Sequence, residues 1–325
     1  MKDLAPVAVG AAAGLVVALL FLNADDTKPL PAPVGKPPQQ ARLTVPLKAM
    51  PERLPLAREP AIAPIAPDVS PSAGTPAWQR FAVAAPPVAG RPMIAVIIDD
   101  MGVDRRRSER AVALPGPLTL SYLTYARDLP QQTAAAHRAG HELMVHVPME
   151  PESSDADPGP NALRVGLAPD ELARRIDWSL TRFAGYVGIN NHEGSRFTTD
   201  APGMAEVLRA LHRRGLLYVD SRTTAKTVAP GLARGLGVPY AERNVFLDDR
   251  NDVPAVEVQF GRLEQVARRA GYAIAIGHPR DATLAVLAAW LPGFRERGFV
   301  LVPVSAIVRH RIALAQNAVR KAAGP

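Results

Sequence analysis

Six apolar residues, Met93-Ile94-Ala95-Val96-Ile97-Ile98, run without interruption into two carboxylates, Asp99-Asp100, followed by Met101-Gly102. A run this short, continuous and rich in β-branched side chains reads as a strand buried on both faces, and therefore as a parallel one. In α/β folds, ligands gather just beyond the carboxyl ends of parallel strands. The two acids stand where a metal ligand and a proton acceptor would be placed. The plainer reading is a solvated turn or an acidic cap of the next helix.

After residue 92 the texture repeats that of the first strand. Strands are expected at Ile94–Asp99, Leu118–Leu123, Leu143–Val147, Tyr186–Asn190, Leu216–Asp220, Val245–Asp248, Tyr272–Ile276 and Val300–Val304. Between them, helical patterns run over Pro169–Phe183, Pro202–Arg214, Ala255–Arg269 and Ala282–Leu291. Asp200-Ala201-Pro202 has the acidic cap and first-turn proline of a helix start. Gly140, Gly215 and Gly271 each separate a basic helix end from the next strand, as helix C-caps do. Strand–helix alternation repeated seven or eight times predicts an α/β fold with a parallel (β/α) barrel. An open doubly wound sheet is the competing architecture, but the chain has no GxGxxG or phosphate loop.

The 325 residues would suffice for one large or two ordinary domains, yet their composition is uneven. Ala5–Leu22 are eighteen uncharged, mostly apolar positions, close to the ~20 that cross a bilayer core. Leu22 is too bulky for a small-x-small cleavage box, so an uncleaved anchor over 1–27 is favoured over a signal peptide. Lys2 before the span and Asp25 and Asp26 after it place the bulk outside the cytoplasm: an inner-membrane-anchored protein with its domain in the periplasm, or a periplasmic protein after cleavage. Residues 28–92 hold sixteen of the thirty-three prolines. At that density helix ladders cannot form, and a disordered, extended spacer is expected. Residues 93–310 form the domain, and 311–325 read as a tail.

Charge narrows the partners. Residues 1–27 come to −2 and 28–92 to +5, so only +4 of the formal +7 falls after residue 92. That is not a surface demanding nucleic acid, and the interleaved aromatics of single-strand binders are missing. With no cysteine in the chain, a metal would have to sit on histidine and carboxylate.

The residues a reaction would need collect at strand ends. Asp99 and Asp100 end the first strand and His146 the third; Asn190, Asn191 and His192 end the fourth, followed by Glu193-Gly194-Ser195-Arg196-Phe197. Asp220-Ser221-Arg222 end the fifth, and His278 follows the seventh. A barrel would bring them onto one rim. One carboxylate plus two imidazoles with open positions is a divalent-metal arrangement used for hydrolysis. His137, His212 and His310 sit in basic stretches and read as surface residues, and His141 as a turn residue.

The order and local words of residues 93–310 resemble the polysaccharide deacetylases of the NodB type, and more closely their divergent, YibQ-like branch. The strand-ending Asp99-Asp100 is similar to the family's aspartate pair. Gly140-His141-Glu142 followed by His146 resembles its metal motif, and Gly188-Ile189-Asn190-Asn191-His192 with Gly194-Ser195-Arg196-Phe197 resembles a segment characteristic of the branch. The resemblance implies a NodB-like distorted (β/α)7–8 barrel, with Asp99 as base and Asp100 and His146 as metal ligands. Glu150 occupies the place of the motif's second histidine, so His192 is assigned the missing imidazole. His278 is implied as general acid. Asp220 and Arg222 orient the base in this reading, and Glu150, Asn191, Ser195 and Arg196 are placed around the metal or substrate.

The activity implied is hydrolysis of an acetamide on an N-acetylated cell-envelope glycan with a divalent metal, Zn²⁺ on ligand grounds. The alternative is an envelope protein that binds glycan or regulates a cell-wall enzyme partner without turnover.

Overall fold

The computed structural model describes residues 74–322. The expected anchor and the Pro-rich chain as far as residue 73 lie outside the described residues. Among the described residues no helix is long and apolar enough to cross a membrane.

The expected alternation is present. It runs α1 (Ala77–Arg80), β1 (Met93–Met101), α2 (Arg105–Val112), β2 (Thr119–Leu123), α3 (Leu129–Arg138), β3 (Glu142–Met149), α4 (Pro169–Leu180) and β4 (Gly188–Glu193). It continues with α5 (Ala201–Arg214), β5 (Leu217–Asp220), α6 (Ala229–Leu236), β6 (Tyr240–Glu242), β7 (Val245–Phe246) and α7 (Val253–Ala270). The chain closes with β8 (Tyr272–Gly277), α8 (Asp281–Trp290), β9 (Val300–Leu301) and α9 (Val304–Ala322). Three helix starts are capped by an aspartate. Asp200 accepts the Gly203 N–H at 2.9 Å, and Asp104 and Asp252 cap α2 and α7 in the same way. Gly215 and Gly271 end α5 and α7 in the left-handed conformation.

Every ladder is parallel. The strands lie in the order β6-β5-β4-β3-β2-β1-β8-β7. The short β9 pairs with Met93 and Ile94 of β1, while β2 pairs farther along that strand from Ile97. Among the described residues no ladder joins β6 to β7, so the expected barrel is a curled half-barrel of eight strands. β6, Tyr240-Ala241-Glu242, carries no apolar run of the kind that marks β7 and β9, and the sequence pattern passes over it.

Two apolar layers hold the half-barrel. Ile94, Val96 and Ile98 of β1 face the helices, together with Val145 and Tyr218. Met93, Ala95 and Ile97 face the concave side, with Met144, Leu217, Val219, Ile274 and Ile276. Trp78 from α1 and Ile307 and Val308 from α9 belong to this concave layer. Residues 74–92, expected to be the end of a disordered spacer, therefore include a packed segment. The Trp78 backbone N–H donates to the Gly215 carbonyl at 2.9 Å, and the residue is 4% exposed. Indole burial outweighs the nearby prolines, which occupy non-helical positions around α1. At the other end, α9 continues as helix as far as Ala322, into the residues read as a tail.

The amino-terminal end of the concave layer holds one buried acid. Glu142 on β3 accepts the Ser305 N–H at 3.1 Å, the Ser305 hydroxyl and, at 3.3 Å, the Thr119 hydroxyl. It ties the start of α9 to β2 and β3. Burial pushes its carboxyl up to about 7 despite these donors. His141, read as a turn residue, is fully buried. It accepts the Leu118 N–H at 3.2 Å, and its other ring nitrogen lies 3.0 Å from the Val112 carbonyl.

Two outcomes are expected in thermal or denaturant melts. Trp78→Ala costs about 3–5 kcal/mol, the range for large aromatic truncation in a core. Because the folded state binds the Glu142 proton more tightly than the unfolded chain, this contribution is complete below about pH 4.5 and is lost as pH rises through about 7. Glu142→Gln flattens that decline, by on the order of 3 kcal/mol between pH 4.5 and 8.

Candidate metal centre

Asp99 and Asp100 are neighbours on a strand, and alternation would send their side chains to opposite faces. The strand does not alternate here. Between the pairs Ile98–Leu120 and Met101–Tyr122, β1 advances three residues while β2 advances two, a bulge that re-aims the side chains beyond it. Asp100 takes φ 55°, a left-handed conformation. Gly102 permits the exit from the bulge: its φ is 101°, and a Cβ there would lie 2.8 Å from the Ala126 Cβ. Both carboxylates thereby reach the same centre.

The other partners are set by parity. His146 is in register with Asn190, and Met144 with Gly188; Met144 packs in the concave layer. His146, Asn190 and His192 therefore share the concave face, and Asn191 does not. Asp100 Oδ1 lies 3.3 Å from His146 Nε2 and 2.9 Å from His192 Nδ1, and the two ring nitrogens are 3.2 Å apart. Tetrahedral bonds of about 2.0–2.1 Å separate neighbouring ligand atoms by roughly 3.3 Å. The buried Asp100 Oδ1 receives no well-aligned hydrogen bond. The three atoms fit one face of a tetrahedral divalent-cation site, with the remaining position open.

Electrostatics point the same way. Burial alone would raise the Asp100 carboxyl, but the imidazoles of His146 and His192 hold it well below the usual carboxylate range. Burial also disfavours a charged His146, yet Asp99 and Asp100 raise its pKa. Asp99, 2% exposed, lies 3.6 Å from His146 Nε2. Burial lifts its pKa against the opposing charges of His146 and His278 and the hydrogen bond from Asn190. His278 Nε2 stands 3.8 Å from Asp100 Oδ2 on the far side of the centre. Its Nδ1 lies 2.9 Å from Asp248 Oδ1, and its backbone N–H donates to Asp248 Oδ2 at 2.7 Å. Burial works against a charged His278, but Asp248 outweighs it and raises the pKa.

The remaining expected residues brace loops. Glu150 accepts the Val165 N–H at 2.7 Å and pairs with Arg196 at 3.2 Å. Ser195 accepts the Glu152 N–H at 2.7 Å. Asn191 accepts from the Tyr218 hydroxyl at 3.0 Å and the Ser221 N–H at 2.9 Å. Asp220 accepts the Arg222 N–H at 2.7 Å and the Thr227 hydroxyl at 2.8 Å. Arg222, at φ 54°, faces Glu242 at 3.7 Å, so the side chain that hydrogen-bonds to Asp99 is Asn190 and not Arg222. The Asn190 amide donates to both Asp99 oxygens, at 2.8 and 2.9 Å.

Sequence reasoning noted Asn190 at a strand end without giving it a role, and passed over Asp248. Parity was the available signal for Asn190, because it shares the strand face of His192. Asp248 closes an expected strand and falls under the same rule that selected Asp99 and His146.

The family described as divergent polysaccharide deacetylase matches residues 96–308. The uncharacterized protein YibQ of Escherichia coli K12 is 38% identical over 207 residues, 64% of this chain and 64% of YibQ. The similarity therefore spans less than two thirds of that relative's length. An uncharacterized protein of Haemophilus influenzae is 33% identical over 204 residues, 62% of this chain and 72% of that protein. The crystal structure of the uncharacterized protein ATU2773 from Agrobacterium tumefaciens C58 is similar with a TM-score of 0.70 at 27% identity, covering 73% of this chain and 96% of that one. With the match covering most of the half-barrel, from β1 into α9, this chain belongs to the divergent polysaccharide deacetylase family.

Proposed function

We propose that this chain is a metal-dependent hydrolase that removes acetyl groups from an N-acetylated cell-envelope glycan. The observation that carries the reading is the 2.9–3.3 Å triangle of Asp100, His146 and His192 atoms, flanked by Asp99 and by the Asp248–His278 pair. A divalent cation held by the triangle, Zn²⁺ on ligand grounds, would polarise the acetyl carbonyl and acidify a water.

The chain's own residues account for the protons. The water oxygen bonds to the acetyl carbon, and Asp99 takes the proton it releases. Burial, which raises the Asp99 pKa, makes it a better acceptor than a solvated carboxylate. The carbon–nitrogen bond then breaks, and His278 Nε2–H gives its proton to the departing amine. His278 must be cationic for that step, and Asp248 favours that state. The same reading places the domain in the periplasm on an N-terminal membrane anchor; its support is the apolar run Ala5–Leu22.

Elemental analysis of the purified protein is expected to find a near-stoichiometric divalent ion, lost in His146→Ala and in His192→Ala. No metal after incubation with zinc would remove the hydrolase reading and leave a glycan-binding or regulatory protein. Asp99→Asn is expected to lower kcat for acetate release from N-acetylated glycan oligomers by about 10²–10⁴-fold while retaining the ion. In Asp248→Asn the His278 pKa falls, so the cationic form is lost at lower pH. The alkaline limb of the kcat–pH profile moves to lower pH, and an unmoved limb would separate Asp248 from the acid step.

A further inference from the structure

Asn190 is fully buried, and its amide satisfies every hydrogen-bonding direction it has. The NH2 group donates to Asp99 Oδ1 and Oδ2 at 2.8 and 2.9 Å and to the Ser221 hydroxyl at 3.1 Å. The carbonyl oxygen accepts the Ser121 hydroxyl at 2.6 Å and stands 2.9 Å from His146 Nδ1. Only one orientation suits these neighbours, because a carbonyl turned toward the Asp99 carboxylate would face two acceptors. With the oxygen on the His146 side, His146 Nδ1 must carry the proton. In the neutral ring the Nε2 lone pair then points at Asp100 and His192.

We propose that Asn190 is the positioning residue of this centre, performing two separable tasks with the two ends of one amide. The NH2 end fixes the Asp99 carboxylate for proton transfer, and the carbonyl end sets the His146 tautomer that leaves Nε2 free for a cation. A neutral amide suits both tasks. It donates to both oxygens of the base without adding a charge, and it accepts from the ring without adding a third carboxylate to the pocket. The inference rests on the hydrolase reading for the role of Asp99, but the tautomer task is independent of any substrate.

The two tasks separate by substitution in the full chain. Asn190→Asp keeps the acceptor for His146 and places a like charge against Asp99. Zinc affinity, measured by chelator competition, is expected to stay within about threefold. The kcat for acetate release is expected to fall about 10²-fold with KM little changed. Asn190→Leu removes both ends, and zinc affinity is expected to fall about 10–100-fold as well. Parent kcat in Asn190→Asp, or parent zinc affinity in Asn190→Leu, would overturn the proposal. Histidine ¹⁵N spectra of the metal-free parent, taken at a pH where the ring is neutral, are expected to show His146 protonated at Nδ1, and an Nε2–H tautomer would also overturn it. The Asn190 side-chain amide protons are expected to shift in Asp99→Asn; unchanged resonances would refute the Asp99 task. These spectra decide the matter if both Asn190 variants fail to fold. If the parent binds zinc but releases no acetate, the hydrolase reading fails on its own while the affinities and spectra still judge Asn190.

Discussion

Two carboxylates adjacent in sequence can serve one centre only if the strand between them abandons its alternation. Everything at the mouth of this half-barrel depends on that local departure. The bulge after Ile98 and the left-handed Asp100 turn a strand end into a site. Conformations of this kind cost on the order of 1–3 kcal/mol and persist where the surroundings over-determine them. Here the surroundings are β1's ladders with β8 and β2 on its two sides, the Gly102 exit and the packed layers beneath.

The centre works as a polar layer on an apolar support. Below it, the concave side is filled by Met144, Val219, Ile274 and Ile276, so the groups at the strand ends have little freedom to move away from one another. Within the layer almost every polar atom is held. Asn190 joins Asp99 to His146, Asp248 holds His278 through two contacts, and the Thr283 hydroxyl donates to the same Asp248 oxygen as the His278 backbone. Against this background the unsatisfied Asp100 Oδ1 stands out. Buried polar groups are ordinarily paired, and an acid facing two imidazoles without good hydrogen-bond geometry is what a cation site requires. The Asp99 and His278 environments push in useful directions, one by burial and the other by a carboxylate partner.

The elements were largely legible in the chain. Apolar runs named every described strand except β6 to within a few residues, and Asp200, Gly215 and Gly271 marked helix ends because capping is a local interaction. Non-local facts were not legible. Proline density read residues 74–92 as spacer, although Trp78 joins a packed layer that includes Leu217, Ile307 and Val308, more than a hundred positions away. His141 read as a turn residue because nothing near it in sequence shows that Leu118 and Val112 will meet its two ring nitrogens. Among the candidate site residues, Asp99, Asp100, His146, His192 and His278 announced themselves by standing at strand ends. Glu150, Asn191, Ser195, Arg196, Asp220 and Arg222 stood at strand ends or in the loops just beyond, but they bond to loops and neighbouring strands.

The sequence by itself determined a parallel α/β architecture and the set of acids and histidines that could share one rim. Both arise from short-range periodicity, which a strand or helix expresses wherever it lies. Only the tertiary structure decided which of those residues meet. That depended on strand register, on the bulge that defeats alternation at Asp99–Asp100, and on the missing ladder between β6 and β7 that leaves the barrel half closed. It also selected Asn190 over Asn191, because adjacent residues on a strand differ by which side of the sheet they face, and the sides acquire meaning only when the sheet curls around a centre.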